Sequence, residues 1–375
     1  MSTVLSIIMT LVILNIIVIV HEFGHYITAK KFGVGIKEFA IGMGPVIFQR
    51  SKKKNSFVFF NKKKQFPENE FKFSIRALPV GGFVNLKGEG SESSDPDSFS
   101  MLKPWKRLVV FLAGAFMNII LGLLCAAIIG TVFIDCDITT EVACFNENIV
   151  VKDKTYETSL SDKDGLMVGD EIIKINNHRV LDITDIQYEL VLANDDKVDV
   201  VVKRDGKTKT LKDVHFPYYE ESGLKAMGMD FKITGKDKTF LGTIKYIGNS
   251  TFAAIKMVYR SLYGLITGGI PASSMSGIVG VTASVSETVK TTTSLYDLTY
   301  QFLYLLFLLT INIGLFNVLP IPALDGGQSC ACIFEMITKK KINEKIYNKI
   351  TVVFLVLLFA LMAVITLKDI FTIFF

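Results

Sequence analysis

The sequence predicts a polytopic α-helical membrane protein with four transmembrane helices, a membrane-associated β-hairpin region and an inserted extracytoplasmic α+β domain. Three observations predict it. Of 375 residues, half are hydrophobic and only 21% are charged, where a soluble domain carries about a quarter charged. Four segments match a bilayer core of about 30 Å, which takes roughly 20 helical residues: Val4 to Ala29, Leu108 to Ile134, Leu298 to Leu324 and Ile350 to Leu367. Between the second and third, short β-forming runs alternate with turn signals.

The first span, within residues 1–29, resembles a signal peptide only superficially. It lacks a charged leading region, its apolar run continues from Val4 to Val20, and no small-residue cleavage site follows. Residues 30–107 carry much of the basic charge, including Lys52-Lys53-Lys54 and Lys62-Lys63-Lys64. Flanked by apolar helices, such a cluster marks a cytosolic loop held by the positive-inside rule, and nucleic acid is not an expected partner. Within that loop Phe71 to Lys87 mixes β-formers with a Gly81-Gly82 break, and Ile36 to Phe48 is apolar and Gly-rich. These predict strands or hairpins against or dipping into the membrane, bordered by protein or water because lipid cannot satisfy backbone groups. Ser91 to Ser100 is a polar, turn-rich connection.

The second span covers 108–134. Next, residues 146–231 contain IVV, EIIKIN and VDVVVKR runs, and the phrase from Gly165 to Asn177, with the Arg204-Asp205-Gly206-Lys207 turn, resembles the PDZ fold. A sheet edge there suits strand addition by a peptide, while a spacer or steric gate suits the sequence equally. Residues 240–297 hold a segment of helical apolar spacing, Phe240 to Ile266, that fits an amphipathic helix on the outer membrane surface. The third span and its continuation occupy 298–337, a Lys-rich loop 338–349, and the last span 350–375. With both Lys-rich loops cytosolic, both termini and the middle region lie outside. Of five cysteines none forms a CxxC pair, which speaks against a zinc ribbon or redox dithiol; Cys136 and Cys144 leave a disulfide open.

The chemistry begins at His21-Glu22-Phe23-Gly24-His25. Helical positions i and i+4 share a face, so both imidazoles reach one metal while Glu22 lies beside it to accept a proton from water. Burying two imidazoles and a carboxylate inside a span is expensive, and such residues mark function. Catalytic zinc takes a third protein ligand. The other two of the four histidines, His178 and His215, fall in the external region, and Asp325 alone is ionisable at neutral pH between Leu298 and Cys332. Two prolines and two glycines surround it in Asn317-Val318-Leu319-Pro320-Ile321-Pro322-Ala323-Leu324-Asp325-Gly326-Gly327, breaking the helix and freeing the carboxylate to turn inward; the alternative is a helix cap at the boundary. Depth agrees: the 17 residues from Val4 to Val20, at about 1.5 Å each, put His21 roughly 25 Å in from the outer face.

Taken together, HExxH in the first span, NxxPxPxLDG in the third, ALPVGGFVNLKGE at Ala77 to Glu89 and the PDZ-like insertion resemble the site-two protease family, in its bacterial regulator-of-sigma-factor branch, over nearly the whole chain. The resemblance implies an intramembrane zinc metalloprotease that cuts single-span membrane proteins within the bilayer, such as anti-sigma factors or remnant signal peptides. It implies Zn²⁺ on His21, His25 and Asp325, with Glu22 as catalytic base. It also implies a substrate path along Asn317 and the strands around Phe73, Gly81 and Gly82, which pair with an unwound substrate segment. Asn118 is a further substrate contact or a polar helix-packing residue. Two stretches depart from the family pattern: Gly114-Ala115-Phe116-Met117-Asn118 lacks the usual Gly-Pro, and Ser276-Gly277-Ile278 lacks Ser-Gly-Pro. Neither supplies a ligand, so what they affect is substrate fit. The rival readings are a catalytically silent PDZ-bearing scaffold, which has no need of Glu22, and a metal transporter, which needs ionisable groups strung along a path rather than gathered at one level.

Overall fold

A computed structural model describes residues 2–51, 57–59, 71–89, 95–146, 149–151, 154–156, 159–193, 197–221, 224–292 and 294–374. The two triple-lysine runs and the first four residues of the polar stretch from Ser91 lie outside them. The chain divides into two compact units, Met1–Gly122 with Ser276–Phe375, and Leu123–Met275. The first opens with α1 (Ser2–Lys31), β1 (Ile36–Ser51), β2 (Phe57–Phe59), β3 (Lys72–Leu86) and most of α2 (Pro104–Ile128). The second contains β4 (Cys136–Phe145), β5 (Ile149–Val151), β6 (Lys154–Tyr156), α3 (Leu160–Lys163), β7 (Glu171–Ile175), β8 (His178–Arg179) and α4 (Ile183–Val191). It continues through β9 (Lys197–Arg204), β10 (Lys207–His215), β11 (Tyr218–Glu221), β12 (Leu224–Met227), β13 (Phe231–Asp237) and α5 (Phe240–Thr267). The first unit resumes with α6 (Ile278–Thr291), α7 (Leu295–Val318), α8 (Asp325–Thr338) and α9 (Glu344–Phe374).

Among the described residues, four helical stretches are long and apolar enough to cross a membrane: Val4–Lys31, Pro104–Phe133, Leu295–Val318 and Lys345–Thr372. Their ends follow local chemistry. Pro104 opens α2, where a missing N–H leaves no bond unmade. Ser294 caps α7 by accepting the Tyr296 N–H. Leu319, which precedes Pro320, has extended backbone and ends that helix. The third apolar segment is therefore two helices, α7 and α8, joined by a tight proline-containing loop. The first turn of α8 packs directly on the backbone of that loop: a Cβ on Gly326 would lie 2.1 Å from the Leu319 carbonyl oxygen, and one on Gly327 2.4 Å from that of Ile321.

β1 and β3 each fold back on themselves, so the sheet has more ribbons than strands. Residues 36–41 of β1 pair with 82–86 of β3 on one side and with 72–75 of β3 on the other. Residues 48–51 pair with the outer side of 72–75, and β2 adds beyond them. The order across the sheet is thus 82–86, 36–41, 72–75, 48–51, 57–59. Gly42, Gly44 and Gly81, with φ of 82°, 84° and 83°, make the reversals, a conformation that costs other residues a Cβ clash. Ala29 from α1, Leu86, Phe99, Val110 and Phe111 from α2 and Cys332 from α8 form one buried cluster that fixes these elements around the end of α1.

In the second unit the strands run β10-β9-β7-β4-β13, with β8 on β7 and separate β5–β6 and β11–β12 hairpins. Leu166, Ile172, Ile186, Leu190, Val200 and Phe231 are fully buried in its core. Asp170, wholly buried, pairs with Arg204 at 2.7 Å, tying the Gly169 turn to β9. α5 lies along α4: Lys256 meets Asp185 at 2.8 Å, Arg260 pairs with Glu189, and the Tyr188 hydroxyl bonds Ser261. The opposite side of α5 exposes Phe240, Leu241, Phe252, Tyr263 and Ile266. All five cysteines are free. Cys136 and Cys144 lie near the two ends of β4, opposite Asp237 and Lys232 of β13; five strand steps of roughly 3.3 Å put them about 17 Å apart, far beyond disulfide reach.

Candidate metal centre

The site is built where α1, α2 and α8 meet. The i, i+4 spacing on α1 brings His21 and His25 to one face, their rings edge to face with centroids 4.8 Å apart. α8 begins at Asp325, and the loop before it delivers that carboxylate to the pair. Asp325 Oδ2 lies 2.9 Å from His21 Nε2 and 3.2 Å from His25 Nε2, and the two Nε2 atoms are 3.2 Å apart. Ligands at about 2.0–2.1 Å around a tetrahedral zinc are separated by about 3.3 Å, so this triangle has the size that zinc requires, with the fourth position left for a reactant. It is the metal-capable cluster of His, Cys, Asp and Glu found among the described residues.

Two further features test the fit. His25 Nδ1 is 2.8 Å from the Val110 carbonyl oxygen, so Nδ1 carries the proton and Nε2 presents its lone pair to the triangle, the arrangement of ligating histidines. Gly114 forms the floor. A Cβ there would lie 2.6 Å from both His21 Cε1 and His25 Nε2, filling the metal position's surroundings. A Cβ on Gly24 would lie 2.4 Å from the Ala113 carbonyl oxygen, so α1 and α2 approach through two glycines, one from each helix. The residues present fit zinc.

Glu22 stands beside the triangle, its Oε2 accepting the Val84 backbone N–H at 3.0 Å. Asn118, fully buried on α2, has its amide 3.4 Å from His21 Nδ1. When His21 ligates through Nε2 its Nδ1 carries a proton, which the Asn118 carbonyl oxygen accepts once the amide is turned over. α7 holds Asn118 in place: Thr310 donates to its backbone oxygen at 3.2 Å, and Gly314 lets the helices close, a Cβ there lying 3.0 Å from Asn118 Cβ.

The remaining expected residues are spread along the approach. Asn317 is half-buried in the last turn of α7. Phe73 lies in an inner ribbon, paired with Phe39 on one side and Arg50 on the other, so its backbone offers no edge. Gly82 lies in the terminal ribbon 82–86, and Gly81 makes the turn into it. His178 and His215 belong to the other unit, where His215 pairs with Asp164 at 2.8 Å. The sequence gives no sign of the roles of Gly24 and the Val84 amide, and the Gly114 stretch, read there as a matter of substrate fit, lies against both imidazoles. The small-residue pair Gly114-Ala115 inside a span was the available signal, since such pairs mark close helix approach.

The model of peptidase family M50 matches residues 9–61 and 57–361. Proteins named "Putative zinc metalloprotease" align over nearly the full length. The one from Clostridium acetobutylicum is 30% identical over 97% of both chains. That from Clostridium perfringens is 31% identical over 97% of this chain and 98% of its own. That from Campylobacter jejuni is 27% identical over 96% and 92%. A zinc-sized triangle of two imidazoles from the first apolar helix and the Asp325 carboxylate of α8, with Glu22 at its side, and a family match spanning most of the sequence lead to one assignment: the chain belongs to peptidase family M50, the site-2 proteases, and is a zinc metalloprotease.

Proposed function

We propose that this metalloprotease hydrolyses peptide bonds inside the transmembrane segments of single-span membrane proteins, in regulated intramembrane proteolysis of anti-sigma-factor or remnant-signal-peptide substrates. The observation that carries the proposal is the position of the triangle, two of whose three corners, His21 and His25, lie within an apolar helix of membrane-spanning length. His21, His25 and Asp325 hold the zinc, which when bound supplies Lewis-acid polarisation of the scissile carbonyl and makes water acidic enough to react near neutral pH. Glu22 takes the proton from that water and gives it to the leaving amine, so the products are one carboxylate and one amine. The substrate helix must first unwind, because its amide bonds are otherwise closed within the helix. The ribbon 82–86 compensates by offering its outward carbonyl groups to the extended segment, its Val84 N–H being held by Glu22, and Asn317 steadies the substrate backbone.

The proposed topology puts both termini and the PDZ-like module outside, with the metal nearer the cytosolic face. Lys30 and Lys31 at the end of α1, Lys103, Lys106 and Arg107 at the start of α2, and Lys339 to Lys341 after α8 support this sidedness. Trp105, half-exposed against Phe32 with Lys106 beside both rings, has the composition of an interfacial anchor at that boundary. For the module we favour the spacer reading, because α5 already covers the acidic side of α4 through Lys256 and Arg260. The test is cleavage of a model transmembrane substrate by purified protein alongside metal analysis. Wild type should carry one zinc and cleave, Glu22→Gln should keep the zinc and lose cleavage, and Asp325→Ala should lose both. Undiminished cleavage by Glu22→Gln rejects the mechanism.

A further inference from the structure

The ribbon 82–86 is the terminal one of its sheet, and α1 runs along its free side. Asn15, Val18 and Glu22 occupy one face of α1, at spacings of three and four residues. Each meets β3. Asn15 Nδ2 donates to the Pro79 carbonyl oxygen at 2.5 Å, and Glu22 Oε2 accepts the Val84 N–H at 3.0 Å. Between them, a Cβ on Gly82 would stand at ordinary contact distance from Val18 Cγ1, 3.5 Å, while the Ala40 oxygen of β1, at 2.8 Å, is what excludes a side chain there. In an antiparallel pair successive N–H groups point to opposite sides. The Val84 N–H points to α1, and those of Phe83 and Asn85 therefore turn toward β1, with which they are in register at Ala40 and Glu38.

Resting on the protease reading above, we propose that Val84 is a positioning residue for the catalytic base: its backbone N–H holds one oxygen of Glu22, leaving the other to face water at the triangle. The ribbon that receives the substrate and the group that attacks it are then one rigid assembly. Substrate register on 82–86 fixes the scissile carbonyl relative to Glu22 without any further contact. Asn15, by tying the Pro79 turn to α1, holds the same ribbon two helical turns away. A side-chain carboxylate swinging freely would lose this, and a displacement of about 1 Å in a catalytic group costs on the order of a hundredfold in rate.

The first test reads the contact directly. In full-length protein, Glu22→Ala should speed amide hydrogen exchange at Val84 while leaving Phe83 and Asn85 protected; unchanged exchange at Val84 overturns the proposal. The second reads function. Proline is tolerated in an edge strand where the N–H points away from the ladder, so Val84→Pro removes the donor together with the side chain, and Val84→Ala is the control that loses the side chain and keeps the donor. Val84→Pro should lower kcat ten- to a hundredfold with KM and zinc content unchanged, and Val84→Ala, which keeps the amide, should recover at least fivefold of that loss. A raised KM with unchanged kcat overturns the proposal by assigning the amide to substrate instead. If Val84→Pro loses zinc or fails to fold, Asn15→Leu decides: a fall in kcat at constant KM supports the proposal and an unchanged kcat rejects it. Failure of wild type to cleave, or cleavage by Glu22→Gln, removes the protease reading separately and leaves the exchange result standing.

Discussion

Gly114 illustrates how much of this site is set by a side chain that is missing. Both imidazoles lie where its Cβ would be, at 2.6 Å, and backbone of a packed helix cannot retreat by the several tenths of an ångström that relief requires. Gly114→Ala is expected to displace one imidazole and lower zinc affinity by at least tenfold, read by chelator competition, with the helical circular dichroism unchanged. Ala323 makes the complementary point. Its φ of 123° is a region that residues with a Cβ rarely adopt, strain of about 1–3 kcal/mol kept where surrounding structure over-determines it. It lies two residues before Asp325 and sets how the carboxylate leaves the loop. Ala323→Gly should keep full zinc occupancy, and Ala323→Val, which adds branching at Cβ, should lose zinc and lower Tm. Asn118 acts through His21: Asn118→Leu removes the acceptor for Nδ1–H and should weaken zinc binding about 10- to 100-fold, the range for partners of ligating histidines, while Asn118→Asp retains it.

At the scale of elements, the ligand set was legible because helical periodicity alone brings His21 and His25 together and composition alone isolates Asp325. The ribbon order was not legible. β1 and β3 each supply two ribbons that interleave, and nothing in an apolar, Gly-rich stretch says which half lies inside; Phe73 and Gly82 look equally suited to an edge until the register separates them. The third apolar segment reads as a single broken span, and Pro320 and Pro322 resolve it into α7 and α8. Amphipathic spacing identifies α5, but not that its basic residues are spent on α4. Glu189 is almost wholly buried between Lys256 and Arg260. Taking away part of a buried ion network leaves charge uncompensated, typically about 3–5 kcal/mol for an isolated pair and less here because Lys256 remains. Arg260→Ala should therefore expose the α4–α5 junction to limited proteolysis at temperatures where wild type resists, with zinc content unaffected.

For the whole molecule, the proposed orientation in the membrane rests on charge. Basic residues collect at the end of α1, the start of α2 and the α8–α9 connection, three chain positions that an alternating path through four spans assigns to a single side. β4 follows α2 after one crossing, so the proposed orientation puts Cys136, which is exposed and free, on the other side. These two places can be compared with one thiol reagent. In a protein whose only cysteine is Cys136, a membrane-impermeant maleimide applied to intact spheroplasts should label it fully. In a cysteine-free background carrying Lys340→Cys, an exposed position beyond α8, label should appear only after the membrane is permeabilised. Because the two positions are separated by an odd number of crossings, the orientation predicts opposite outcomes for them. Equal labelling from outside would mean that one of the four apolar helices does not span, and with it the inward depth of the zinc ligands on α1 would have to be redrawn.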